Sequence, residues 1–295
     1  MGGDTLRWMA IVCIALLDFI LARHLGIRVV IEPWFPALMI WLLTIYLACR
    51  AFRPDGRLAL LAGAVAQYLG LGCTLTVLSC LVAALHFPLI DNDLARADAA
   101  LGFDWLGVFA FVQAHPWLKW ALQLGYNSTV AQTALLFVWL NATGRSERTS
   151  EFINLCAVTL AIIVALSAVL PAAGAFPKYN VLALVNADYL ALLGGLRDGS
   201  LHELSLSNID GIVTFPSFHT ALGIIFTYTA RNIRYLFPTI AAANVALIGA
   251  TPSIGGHYFV DLIAGAAVTA AAIALVRARL TDKTTVSGAC ATEPV

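Results

Sequence analysis

Residues 58–85 read LALLAGAVAQYLGLGCTLTVLSCLVAAL, an apolar run without one charged side chain. A helix needs roughly 20 mostly apolar residues to cross about 30 Å of hydrocarbon, and this run is long enough. Working outward, comparable runs cover Trp8 to Leu21, Trp34 to Cys49, Ala121 to Leu140, Phe152 to Leu170, Pro216 to Ala230, Tyr235 to Ala250 and Tyr258 to Val276. The composition agrees. Of 295 residues, 60% are hydrophobic and 12% charged, whereas soluble domains carry about 25% charged residues. The expected fold class is all-α: a polytopic membrane helical bundle of about eight spans, forming a single domain over residues 1–283. Asp18 interrupts the first run and no cleavage site follows, so it reads as a retained span and not a signal peptide.

The 17 basic and 17 acidic residues cancel, so no polybasic character points to a nucleic-acid partner. The cysteines at 13, 49, 73, 80, 156 and 290 include no C-x-x-C pair, and neither a disulfide framework nor a zinc ribbon is indicated. Two connections exceed ordinary turns. Residues 86–116, with Asp91, Asp93, Asp98 and Asp104 against Arg96, suggest an amphipathic surface helix. Residues 171–215 enclose an interrupted apolar stretch, Val181 to Leu196, too broken to span and better suited to a lid or interfacial helix. Residues 284–295, rich in small and polar side chains, are expected to be a disordered tail.

With eight spans the termini share a side. That side collects Arg7, Arg50, Arg53, Arg57, Arg145, Arg148, Arg231, Arg234, Arg277, Arg279 and Lys283. The other holds Arg23, Arg28, Arg96, Lys119, Lys178 and Arg197 in longer loops. The positive-inside rule therefore places both termini in the cytoplasm and the long acidic loops outside, in a plasma or inner membrane.

Ionisable groups at span ends are functional candidates. His219 stands in Pro216-Ser217-Phe218-His219 at the opening of the sixth span, where Pro suits a first turn and Ser a cap. His257 precedes the eighth span in Gly255-Gly256-His257-Tyr258-Phe259-Val260-Asp261, with Asp261 one turn on. Span parity brings both histidines to the outer face, and two helix N-termini aimed at one place favour an anion. Such a constellation fits phosphoryl transfer: His257, oriented by Asp261, attacks phosphorus, and His219 protonates the departing alcohol. Two histidines and a carboxylate would also suit a metal, but no further ligand accompanies them, and neither metal nor cofactor is expected.

The motifs P-S-F-H at 216–219 and H-Y-F-V-D at 257–261 resemble signature motifs of the type 2 phosphatidic acid phosphatase superfamily, helical enzymes that cleave phosphate esters. The resemblance implies a six-span phosphatase-like core, with Ser217 as a phosphate contact, His219 as general acid, His257 as nucleophile and Asp261 as its orienting partner. It also implies a lipid phosphate or phospholipid substrate. The family's first motif is missing: Arg53-Pro54 has Tyr46 where a lysine belongs, and the arginine expected before the nucleophile is Thr251. Loss of these cations is similar to the branch of inositol phosphorylceramide and sphingomyelin synthases, which transfer a phospho-headgroup to a lipid hydroxyl. Lys178 and Arg197 are the outward cations able to replace them, and Tyr126 and Gly256 complete the expected phosphate and headgroup contacts. Hydrolysis with water as acceptor is the alternative, and a proton-coupled transporter or flippase is the alternative of another class. Asp18 reads equally as a relay or as a partner of Gln67 or Ser79 on a neighbouring helix.

Overall fold

The computed structural model describes residues 3–52, 56–208 and 211–289, with backbone alone at 208 and 280–289. Arg53, Pro54, the side chain of Lys283 and tail residues 290–295 fall outside that description. Residues 284–289 of the expected tail carry helical backbone as the end of the last helix.

The described residues form α-helices α1 (Gly3–Leu25), α2 (Trp34–Phe52), α3 (Arg57–Ala83), α4 (Asp91–Ala100), α5 (Trp105–Ala114), α6 (Pro116–Asn127), α7 (Thr129–Ala142), α8 (Ser146–Val169), α9 (Ala175–Lys178), α10 (Tyr189–Asp198), α11 (Phe218–Thr229), α12 (Leu236–Ala250) and α13 (Phe259–Ala289). Two short strands, β1 (Arg28–Val30) and β2 (Glu203–Ser205), pair in parallel, with Arg28 opposite Glu203. The fold is all-α apart from this ribbon, which ties the end of α1 to the 171–215 segment.

Among the described residues five helices are long and apolar enough to cross a bilayer: α1, α2, α3, α8 and α13 up to Arg279. The chain is an integral membrane protein. The other expected spans are met by shorter helices. At 1.5 Å per residue α11 covers only about 18 Å, because Ser217 caps its start and Asn232, at φ 63°, turns the chain soon after its end. The expected span Ala121 to Leu140 is divided into α6 and α7 at Ser128, whose hydroxyl donates to the Gly125 carbonyl and accepts from Gln132. Gly125 lets α6 lie against α12, where an added Cβ would press on Ala246.

The central core joins α3, α7, α8, α11, α12 and α13 through Leu71, Leu136, Phe137, Phe152, Phe226 and Ile240. Helices α1 and α2 lean on α3 and leave Leu16, Phe19, Ile20, Ile40, Trp41 and Leu47 exposed, the pattern of side chains that face lipid and not water. A second core lies under the 86–116 and 171–215 segments, built from Leu94, Trp105, Phe109, Phe176 and Tyr258. The acidic 86–116 segment is therefore not one surface helix. It folds as α4 and α5; Asp91 and Asp98 turn inward, while Asp93 and Asp104 stay exposed.

Candidate active site

His219 and His257 reach the same end of the bundle because α12 returns the chain between them. Ser217 has extended backbone and its Oγ accepts from the Thr220 N–H at 3.3 Å, setting His219 in the first turn of α11. His257 sits in the turn before α13, its N–H on the Thr251 carbonyl at 3.1 Å. Gly256 takes φ 69° there, and a side chain would strike the Phe176 ring. Helices α11 and α13 touch closely: the Ser217 N–H donates to the Asp261 carbonyl at 3.1 Å, and Gly265 faces the Ser217 carbonyl with no room for a Cβ. The imidazole centroids end 6.3 Å apart.

The tautomer of His257 follows from its partners. Nδ1 lies 2.8 Å from the Thr214 carbonyl oxygen and 3.3 Å from Asp261 Oδ2. Both are acceptors, so Nδ1 carries the proton and Nε2 keeps its lone pair. Burial pushes the imidazole pKa down to about 4, against a smaller upward effect of the Thr214 carbonyl, so the ring is neutral near pH 7. Asp261 Oδ2 also accepts from the Tyr258 N–H at 2.9 Å, while Oδ1 has no partner among the described residues. His219 stacks on Tyr126, ring centroids 4.3 Å apart, with its Nδ1 3.2 Å from the phenol oxygen.

Both histidines line one cavity of about 550 Å³ with Tyr126, Asn127, Asn186, Asp188 and Tyr189. Among its described lining residues Asp188 is the one carboxylate, and no lysine or arginine contributes. Lys178 is directed elsewhere, its ammonium on Asn92 beside a shallow surface depression with Arg96. Arg197 donates to the Phe87 carbonyl at 2.8 Å. The structure does not bring either cation to the histidines, because both are engaged with the 86–116 segment. Ser217 is fully buried and occupied as a cap, and the Gly256 carbonyl accepts from the Ala175 N–H at 2.7 Å. Both shape the site from behind its surface.

The expectation that two open helix N-termini face an anion is also corrected. At α13 the first N–H groups are taken: Phe259 and Val260 donate to the two oxygens of Asp98, each at 2.8 Å, and Tyr258 to Asp261. Burial holds the Asp98 carboxyl above its usual range, and the two N–H groups work against that shift. Asp91 makes a similar clasp, accepting from the Ala173 and Gly174 N–H groups at 3.0 and 2.8 Å and from the Tyr258 hydroxyl at 3.1 Å. Trp105 Nε1 donates to the His257 carbonyl at 3.0 Å. Sequence reasoning missed these supports and the Thr214 carbonyl; the only signal for Asp91 and Asp98 was a loop with four aspartates and one arginine. Asp18 pairs with neither expected partner: its Oδ1 has none among the described residues, Gln67 accepts from Arg7, and Ser79 donates to the Thr76 carbonyl.

At the opposite end, Arg7 binds Asp4, Gln67, Ser150 and Asn154, while Arg231 pairs with Glu151 at 2.7 Å and Arg148 donates to the Arg231 carbonyl at 2.6 Å. The arginine-rich end and the histidine end are thus separate poles of the bundle.

A family model described as PAP2 superfamily matches residues 92–275, well over half of the chain. Comparison with curated proteins finds no match, and neither does comparison with solved structures.

Proposed function

The chain belongs to the PAP2 superfamily, a group of phosphatases and phosphotransferases, and from that premise we propose that it cleaves a lipid phosphate ester through a phosphohistidine on His257. One observation carries the reading: two imidazoles on the wall of a single cavity, 6.3 Å apart, with the nucleophilic nitrogen of one left free by its partners. That separation puts both imidazoles beside one phosphate-sized group in the cavity.

The steps follow from the residues. Nε2 of His257 attacks phosphorus as the ester oxygen departs, and His219 gives that oxygen its proton. The resulting phosphohistidine has its Nδ1 proton held by the Thr214 carbonyl and Asp261. His219, now neutral, takes the proton of the acceptor hydroxyl, which attacks phosphorus and releases His257. Tyr126 keeps the His219 ring in plane by stacking and through its hydroxyl.

The acceptor we favour is a lipid hydroxyl, in the manner of the headgroup-transferring synthases. A cavity with neutral donors and an aspartate suits a phosphodiester, which carries one charge; a phosphomonoester dianion would meet no lysine or arginine among the described lining residues and would face Asp188. The arginine distribution supports placing the histidine pole outside the membrane.

The test is to incubate the purified protein with phosphatidate, isoprenyl phosphate and glycerophospholipids, with and without ceramide or diacylglycerol, and to read products by mass spectrometry. A new phosphodiester lipid is expected, and free phosphate alone would move the reading to hydrolysis. His257→Ala should lower turnover by about 10⁴-fold or more while the protein stays folded, as removal of a nucleophile does elsewhere. Retained turnover in that variant would defeat the phosphohistidine.

A further inference from the structure

The histidine cavity continues beyond the imidazoles. Thr76, Leu160 and Phe218 line both it and a second cavity of about 300 Å³. The second has no charged side chain among its described lining residues; α2 contributes Trp34 and Phe35, and α3 contributes its face from Tyr68 to Thr76. Cys73 and Leu206 are shared in turn with a third cavity of about 640 Å³ between α1 and α3. Most of this path is built upstream of residue 92, outside the segment that matches the family.

A lipid whose phosphate lies between the histidines must also place its hydrocarbon where water is excluded. The cavity next to the histidines is reached past Phe218 without crossing a charged group, and its far end adjoins the third cavity beside α1, where Asp18, Arg23 and Arg28 join the apolar lining. We propose that it is the hydrocarbon subsite: the substrate's chain runs from the histidines past Thr76 and Leu160 along the Gly72 face of α3. The inference rests on the lipid-ester reading above and adds the place and the selectivity for chain length.

Gly72 provides the test. It lines the cavity, and a Cβ built on it meets nothing within 4 Å. A larger side chain can therefore grow into the space, and losing a glycine from a helix interior favours the helix. Wild type, Gly72→Ala and Gly72→Trp are reconstituted in nanodiscs and photolysed with a phosphatidylglycerol bearing a diazirine in its acyl chain. Labelling of residues 68–76 is expected in the first two and its loss in the third. Labelling elsewhere, or unchanged labelling in Gly72→Trp, would overturn the proposal.

Turnover provides a second readout, using dioleoyl and dihexanoyl forms of phosphatidate and phosphatidylglycerol. Gly72→Trp should lower kcat/KM for the dioleoyl form by about tenfold or more and leave the dihexanoyl form within about twofold, the scale of discrimination that apolar pockets achieve. Equal loss on both chain lengths, or no loss on either, would also overturn it. If wild type turns over no lipid yet residues 68–76 are labelled, the subsite stands and the lipid-ester chemistry falls.

Discussion

At the residue scale the imidazole of His257 depends more on a backbone oxygen than on its carboxylate neighbour. The Thr214 carbonyl is 0.5 Å nearer to Nδ1 than Asp261 Oδ2, at 2.8 against 3.3 Å. Where an aspartate alone fixes the tautomer, its asparagine variant loses about 10⁴-fold because the ring flips its proton. Here Asp261→Asn leaves the carbonyl in place, can keep the Tyr258 N–H bond through its amide oxygen, and puts its NH₂ where Oδ1 has no partner. Turnover should fall by only about tenfold. The same site sets a pH dependence. With its pKa lowered to about 4, His257 remains neutral in the fold while an unfolded chain takes a proton below about 6.5. Stability from this group is present above that value and is lost as pH falls toward 4, and kcat/KM should show its acid limb near pH 4 in both wild type and Asp261→Asn. A limb near 6.5, or a collapse of Asp261→Asn to the level of His257→Ala, would contradict the arrangement.

At the element scale the site depends on how closely α11 and α13 approach. Gly265 allows the contact, and Gly265→Ala forces its new methyl against the Ser217 carbonyl. The expected cost is about 1–3 kcal/mol of overpacking, read as a lower Tm, with turnover reduced by about 10²-fold because the histidines separate. Unchanged turnover would show that the helices can part without harm. The elements also show what the sequence could convey. His219, His257 and Asp261 were visible because each stands beside a local sign, a helix start or a one-turn spacing. Trp105 and Asp98 were not, since their partners lie 152 and 161 residues away, and no spacing rule spans that distance. The undivided fourth span was misread for a related reason: the break at Ser128 depends on side-chain bonds to Gly125 and Gln132, within a stretch whose hydropathy continues through it.

For the whole molecule, eight apolar runs gave the fold class and order, and the lengths fell short where helix ends are used to build the site. The two poles carry a prediction of sidedness. In a cysteine-free background, Asp93→Cys at the histidine pole should react with an impermeant thiol reagent added outside intact cells, and Arg145→Cys only after permeabilisation. The reverse pattern would put the histidines in the cytoplasm. One consequence concerns the order of synthesis. Asp91, Asp98 and Trp105 leave the ribosome long before the backbone they hold, and β1 waits for β2 across most of the chain. His257 and α13 follow α12. A nascent chain paused after α12 already has its acid but lacks its nucleophile, so on the proposed chemistry the protein stays inert toward surrounding lipid until α13 inserts.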